Sequence, residues 1–324
     1  MHNWKQGFTL VELSFSLAFI ASLSLALVVI TLNLTSSYQR GLVLKQVNTT
    51  GNSLISDFKA AIANSSAKNI LDACSLKYDK DSSNQNACLG DHAYSFMNVE
   101  RLAKVKVGKE NTPGYKEISK VPVFGAFCSG SYSYIWNSGY LLDNESYTVE
   151  GVSAASFKYT VANEDYTSGT EKTISNFRLL KIVDPSRAVC ASAIDSASTT
   201  NAGNKPYLSR IQLTGNAGGH RISSNFEIDP NVYGYISEDP IDILATSGSN
   251  ELALYSLLID YFPAQDSTSR NIFYSGSFIL ATILGGINIK ADGNYCATPS
   301  GYDIEYFDYC AINKFNFAIR ASGE

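Results

Sequence analysis

The sequence predicts an α+β fold in which one long amino-terminal α-helix packs on an antiparallel β-sheet with extended loops. An apolar run from Phe8 to Leu32 leads into a stretch whose apolar residues recur mostly every three, four or seven positions as far as Ile62, the pattern of one helix face. Beyond residue 120, short segments alternate apolar and polar residues, as strands with one covered face do.

The first half of the predicted helix, residues 8–34, is long enough to cross a bilayer. At about 1.5 Å per residue, the run from Phe8 to Leu32 extends roughly 37 Å. Its single ionisable side chain is Glu12. A carboxylate in an apolar span costs several kcal/mol unless it is paired or lies near the interface, so Glu12 requires a partner.

The second half, residues 35–65, is predicted to be amphipathic and to cover the sheet. Gly41 and Gly51 lie within it, and each lowers helix stability by about 1 kcal/mol relative to Ala. We therefore expect a bend or local flexibility there, and a coil linker is the alternative.

Residues 1–7 form a short polar leader that ends in Gly7. A secretory signal peptide has its cleavage site after the apolar core, whereas here the small residue precedes it, so cleavage would retain the helix. Cleavage after Gly7 would also create an amine on Phe8, four residues or about 6 Å from Glu12 along the helix. In a staggered bundle of parallel helices, that amine would meet the Glu12 of a neighbour.

The leader and the residues GFTLVEL before a long apolar helix resemble the prepilin signature of bacterial type IV pilins and type II secretion pseudopilins. The resemblance implies a pilin fold, cleavage after Gly7 by a prepilin peptidase, N-methylation of Phe8, and an assembly role for Glu12. It also implies partners: other major and minor pilins through the helix, and an inner-membrane assembly platform. The chain would cross the bacterial cytoplasmic membrane once before assembly and lie in an extracellular pilus afterwards.

Two features depart from that family's pattern. Many major pilins have a proline in the apolar helix, but this chain has none before Pro113, so melting of the helix is not implied. Lys5 precedes the apolar run while Arg40 and Lys45 follow it, which makes the positive-inside asymmetry weak. The predicted orientation of the helix in the membrane therefore depends on the GFTLVEL motif and not on the flanking charges.

The remainder, residues 66–324, is predicted to be one large extracellular β-rich domain. Residues 66–120 are rich in Asn, Ser, Asp and Lys and indicate an exposed excursion. Strands are predicted at VPVFGAF near 121, SYSYIW near 131, SFKYTV near 156, FRLLKIV near 177, YLSRIQL near 207, RISSNFEI near 221, ALYSLLIDYF near 253, IFYSGSFIL near 272, INIK near 287 and FNFAIRA near 315. The segment near 253 has a helix as its alternative.

Six cysteines follow the apolar run, none in a C-x-x-C arrangement, and an even number in a translocated domain favours disulfides. Six cysteines allow 15 pairings. Local spacing favours Cys74 with Cys88 and Cys296 with Cys310, which leaves Cys128 for Cys190.

The sequence shows no catalytic constellation, so we expect no enzyme and no cofactor. His92 and His220 lie far apart, and the serine-rich segments lack a nucleophile elbow. The acidic cluster Asp303, Glu305 and Asp308 is a weak calcium candidate, because its spacing differs from an EF-hand loop and neighbouring aromatic residues favour a solvated hairpin. Two of those aromatic residues, Tyr302 and Tyr306, are candidates for contact with a host or surface ligand.

Among functions, we favour a minor type IV pilin that sits at the pilus tip or initiates assembly, with roles in adhesion, twitching motility or biogenesis. A fainter resemblance is to large PilW-like minor pilins. It is carried by the domain's size and by segments such as RLLKIVDPSRAVC and CAINKFNFAIRASG. The alternative is a minor pseudopilin of a type II secretion system. A formal net charge of −5 gives no support to nucleic-acid binding.

Overall fold

A helix of 54 residues, α1 (Leu10–Ala63), leads into a set of β-sheets and packs against them with its carboxyl-terminal part. In this computed structural model, the described residues are 10–63, 96–107, 110–111, 115–129, 131–143, 147–165, 167–184, 189, 211–213, 225–228, 230, 235–245, 252–262, 271–283 and 311–322. The predicted α+β class, a long amino-terminal helix with antiparallel sheets, is confirmed.

Helix α1 continues through Gly41 and Gly51. Neither glycine ends the helix, and no coil linker separates its two halves. The residue pattern explains why: from Val43 onward one face carries the residues that the sheets bury, so packing outweighs the low helix propensity of glycine. The buried residues of this face are Val43, Val47, Gly51, Leu54, Phe58, Ala61 and Ile62.

The strands of the described chain form three sheets. The strands are β1 (Phe96–Val107), β2 (Lys116–Ser129), β3 (Tyr132–Asn137), β4 (Tyr147–Val149), β5 (Ser156–Ala162), β6 (Gly169–Ser175), β7 (Leu179–Val183), β8 (Ile211–Leu213), β9 (Asn225–Glu227), β10 (Ile241–Asp242), β11 (Leu252–Phe262), β12 (Asn271–Thr282) and β13 (Ile312–Ser322). A four-residue helix, α2 (Gly139–Leu142), follows β3.

The largest sheet has the order β10-β7-β3-β2-β1-β4, with β8 beside β1. The second sheet has the order β11-β12-β13, and the third β6-β5-β9. Pairing is antiparallel except for β1 with β8 and β5 with β9, which are parallel. The predicted antiparallel pairing is therefore confirmed apart from these two short pairs.

Two hydrophobic cores lie on opposite faces of the largest sheet. Phe127 and Tyr134 face α1 and share a core with the inner residues of β11, β12 and β13. Ala126, Cys128 and Ile135 belong to the other core, which the third sheet covers. Successive side chains of a strand point to opposite faces, so the largest sheet is buried on both.

The strands confirm one of the sequence predictions and correct another. Residues 252–262, for which a helix was an alternative, form β11 and pair with β12. β1 lies within the segment predicted to be an exposed excursion, where it pairs with β2 over most of its length. The predicted strand near 287 lies outside the described residues.

Candidate functional site

The amino-terminal sector of α1, from Leu10 to Leu34, carries large apolar side chains that belong to neither hydrophobic core of the described residues. Its large apolar residues are all exposed, from Leu10 at 84% to Leu34 at 65%. An 18-residue window in α1 has a mean hydropathy of 2.5 and is 0% buried. Among the described residues, α1 is the one helix that is long and apolar enough to cross a membrane.

Hydroxyl groups within this sector donate to the helix's own backbone. Ser14 Oγ donates to the Val11 carbonyl at 2.8 Å, and Ser22 Oγ donates to the Phe19 carbonyl at 2.9 Å. Thr31 donates in the same way to the Leu27 carbonyl at 2.7 Å. Such bonds satisfy polar side chains without an external partner, so these hydroxyls do not oppose burial in lipid or among apolar neighbours.

Glu12 lies in the first turn of α1 as described, and its residue is exposed. A carboxylate near a helix amino terminus interacts favourably with the helix dipole. The predicted cleavage and methylation residues, Gly7 and Phe8, lie outside the described residues. The structure therefore describes the predicted assembly residue, Glu12, while the two processing residues stay predictions.

Phe58 is the centre of the contact between α1 and the sheets. Its ring meets those of Phe127, Tyr134 and Phe278 edge-on, with centroids 5.6, 5.2 and 5.8 Å apart. Edge-to-face pairs add about 0.5 to 1.5 kcal/mol each beyond area burial. One helix residue thus joins two sheets.

A polar group beside Phe58, which the sequence analysis did not identify, fixes the helix further. The Asp57 carboxylate accepts hydrogen bonds from the Lys181 ammonium of β7 and, at 2.8 Å, from the Tyr134 hydroxyl of β3. The Lys181 ammonium also lies 4.5 Å from the centroid of the Tyr132 ring, within range of a cation–π interaction. Burial, together with the Asp57 charge, raises the pKa of Tyr134 well above its ordinary value.

Two further contacts connect α1 to β13. Asn313 Nδ2 donates to Asn48 Oδ1 at 2.7 Å. Gly51 leaves room for the Phe315 ring, since a Cβ at Gly51 would lie 2.1 Å from Phe315 Cζ. Gly51 is therefore a packing position, whereas a Cβ at Gly41 would meet nothing within 4 Å.

Cys128 is disulfide-bonded and lies in the core opposite the helix. Ser133, directly across from it in β3, has its Oγ 3.4 Å from Cys128 Sγ and donates to Asp184 Oδ2 at 2.9 Å. The Val189 N–H donates to the same Asp184 oxygen at 3.1 Å. The other five cysteines, Cys74, Cys88, Cys190, Cys296 and Cys310, lie outside the described residues, so the pairings stay predictions.

The remaining candidate ligands also lie outside the described residues. These are His92, His220, Tyr302, Asp303, Glu305, Tyr306 and Asp308. Within the described ranges, no group of three or more His, Cys, Asp or Glu side chains is arranged to hold a metal ion. Calcium binding and ligand contact at the 302–308 segment stay predictions.

Comparisons with known proteins gave no relative. No family model matches the chain, and neither a curated protein nor a solved structure matches it significantly. The family resemblance is therefore carried by the amino-terminal motif.

Proposed function

We propose that the chain is a minor type IV pilin with a pilin fold, processed after Gly7 and assembled through α1. The observation that carries this proposal is the exposed apolar sector of α1, which contains the single carboxylate Glu12 and continues without a break into the part of the helix docked on the sheets. A membrane-held subunit that later joins a helical bundle needs both the exposed apolar half of the helix and the half that docks on the sheets.

The exposed sector requires an apolar environment. Large contiguous apolar surfaces in water indicate contact with protein or membrane, and this sector is apolar around its whole circumference. Lipid supplies that environment before assembly, and neighbouring pilin helices supply it in the filament. The same surface therefore serves both states of the subunit.

Glu12 gives the bundle its axial register in this proposal. The amine that cleavage would create on Phe8 supplies the positive charge that Glu12 needs in an apolar surrounding. A helix shifted from the correct register would leave that charge pair incomplete. The prepilin peptidase and the assembly platform are accordingly the first partners, followed by other pilins.

The large domain favours a tip or initiation position over the repeated shaft. A domain that contains three sheets adds bulk that a densely packed shaft would have to accommodate at every subunit. The subunit would then be rare in filaments, and adhesion, motility or biogenesis would depend on it. Exposed surfaces of the domain would meet the host or surface ligand.

The test combines mass spectrometry with a charge variant. A mature chain that begins with N-methylated Phe8 is expected from sheared pili, together with a low abundance relative to a smaller major subunit. Glu12→Gln should abolish incorporation into pili while leaving the processed protein in the membrane. Glu150→Gln, a matched change at an exposed residue of the β domain, should not affect incorporation.

Three outcomes would overturn the proposal. One is an intact Met1 in assembled filaments, and another is normal incorporation of Glu12→Gln. The third is a deletion strain that blocks protein secretion while its pili stay normal, which would favour the pseudopilin alternative.

A further inference from the structure

The segment Thr35–Leu42, here called the neck, separates the apolar sector of α1 from the β domain. The first buried residue of the helix is Val43. The described side chains of the neck are exposed, except that of Gln39, which is partly covered. Because α1 is continuous from Leu10 to Ala63, the neck holds the domain at a fixed height above the apolar sector.

Basic and aromatic side chains concentrate at this level of the helix. Arg40 lies in the neck and Lys45 lies one turn beyond it, and both are exposed. Tyr38 is 67% exposed. No acidic residue occurs between Glu12 and Asp57, although the whole chain has more acidic than basic residues. The formal charges on this stretch of the helix sequence are therefore positive, on a chain that is negative overall.

The spacing places these side chains at the membrane surface. Leu13–Leu32 comprises 20 residues without an ionisable group and spans about 30 Å, the thickness of a hydrocarbon core. Tyr38 and Arg40 then lie about 9 and 12 Å beyond it along the helix axis. Helix side chains lean toward the amino terminus, which here is toward the membrane, so Tyr38 and Arg40 reach the headgroup layer.

The three side chains lie on two sides of the helix. Tyr38 and Lys45 are seven residues apart and share a face. Arg40 continues the row of Val43 and Val47, which faces the β domain, so it lies beneath the domain. A single docked protein would contact one side of a helix, whereas lipid headgroups surround it. The distribution favours lipid.

We propose that the neck binds anionic phospholipid headgroups and thereby sets the height of the β domain over the membrane before assembly. Arg40 contacts phosphate directly, and Lys45, about 20 Å beyond Leu32 along the helix axis, adds longer-range attraction that salt screens. Tyr38 anchors the helix at the interface, as tyrosine does in membrane proteins. The proposal rests on α1 spanning a membrane and does not depend on the pilin assignment.

The experiment uses the full chain in lipid nanodiscs made from phosphatidylcholine with a minority of phosphatidylglycerol. Native mass spectrometry counts the lipids of each class that stay bound to the protein on release. The wild-type chain is expected to retain phosphatidylglycerol preferentially, by about fivefold for each contributing basic residue. Arg40→Gln combined with Lys45→Gln should remove most of this preference, and added salt should weaken it.

Lys59→Gln is the matched control, because Lys59 lies on the same helix about 40 Å beyond Leu32. It should retain the wild-type preference. Equal retention of both lipids by the wild-type chain would overturn the proposal, as would a loss in Lys59→Gln as large as in the double variant. An unchanged preference in the double variant with reduced entry into filaments would assign the basic residues to a neighbouring subunit and also overturn it.

Insertion of α1 is checked separately by extraction of the nanodisc or membrane fraction with alkaline carbonate. A chain that leaves the membrane under this treatment would refute both the membrane span and the lipid proposal. The pilin assignment is tested separately, by the N-terminus of the mature chain. A failure of the lipid proposal can therefore be distinguished from a failure of the pilin assignment.

Discussion

Gly51 of α1 lies directly against the ring of Phe315 of β13 in the packed interface. A Cβ at Gly51 would lie 2.1 Å from Phe315 Cζ and 2.4 Å from Phe315 Cε1, closer than any van der Waals contact allows. The glycine that weakens the helix locally is thus required for the helix to approach the sheet.

Gly51→Ala is expected to destabilise the protein, even though alanine is the better helix former. Displacing the Phe315 ring in a packed core should cost about 1 to 3 kcal/mol in free energy of unfolding. Gly41→Ala, where a Cβ meets open space, should instead stabilise by up to about 1 kcal/mol. Denaturant unfolding of the full chain in detergent, followed by fluorescence of the buried Trp136, measures both.

A second substitution separates the steric cause from other effects. Phe315→Leu should restore part of the stability lost in Gly51→Ala, because the smaller side chain vacates the space. Equal or higher stability of Gly51→Ala alone would contradict the packing role.

The sequence predicts this helix face well because its periodicity is a local property. Val47, Leu54 and Phe58 recur at spacings of seven and four, and all three are buried. The sequence does not distinguish the two glycines, because their difference depends on Phe315, more than 260 residues away. A contact between distant segments does not change the local pattern of apolar residues, so that pattern does not predict it.

The strands likewise divide into those that the local pattern predicts and those that it does not. β5 alternates buried Phe157 and Tyr159 with partly exposed residues, and it was predicted. β6 is exposed at nearly every position, so no alternation of apolar residues marks it. β1 was missed although Val105 and Val107 alternate with Lys104 and Lys106, because the polar composition of the surrounding segment obscured this short signal.

The Asp57–Lys181 ion pair is predicted to contribute to docking of the helix. The two residues are 124 positions apart, and both are partly buried. Asp57→Ala should lower the free energy of unfolding by about 2 kcal/mol, since it leaves the Lys181 ammonium and the Tyr134 hydroxyl without this acceptor. A double-mutant cycle with Lys181→Met measures the coupling between the two side chains.

Lys158→Met is the control for that cycle. Lys158 bridges Glu171 and Glu227 on the surface of the third sheet, where solvent screens the ion pairs. It should change stability little. Additive effects of Asp57→Ala and Lys181→Met would show that the pair does not contribute as proposed.

Alkaline pH should destabilise the fold through Tyr134. Burial and the Asp57 charge raise the pKa of this hydroxyl above that of an unfolded tyrosine, which is about 10. The stability linked to the neutral hydroxyl is therefore fully present below about pH 10 and falls as the pH rises above it, because the unfolded chain loses the proton first. Urea midpoints recorded across this range measure the slope.

Tyr134→Phe should make that pH dependence shallower, since phenylalanine has no proton to lose. The variant also loses the hydrogen bond to Asp57, so its stability at neutral pH should fall by about 1 kcal/mol. An unchanged slope above pH 10 would assign the alkaline transition to other tyrosines, such as Tyr255, whose pKa burial also raises.

The partner of Cys128 is predicted to be Cys190, the pairing that the local spacing of the other four cysteines leaves, and contacts beside Cys128 support it. Val189 and Ser133 donate to the same Asp184 oxygen, and Ser133 lies directly across from Cys128. Cys190 follows Val189 in the chain, which limits its Cα to about 3.8 Å from that of Val189. Peptide mapping without reduction should recover a fragment that joins residues 128 and 190.

Cys190→Ser should leave a free thiol at the buried Cys128, which a thiol reagent labels only after unfolding. It should also lower the free energy of unfolding by about 4 kcal/mol, the chain-entropy value for a loop of this length. Asp184→Asn is the accompanying test, because it weakens the hydrogen bonds around the disulfide without removing a sulfur. It should leave the cross-link intact and cost less stability. A fragment that joins Cys128 to any other cysteine would contradict the pairing, and the bonds of Asp184 would then only hold Ser133 and Val189 together.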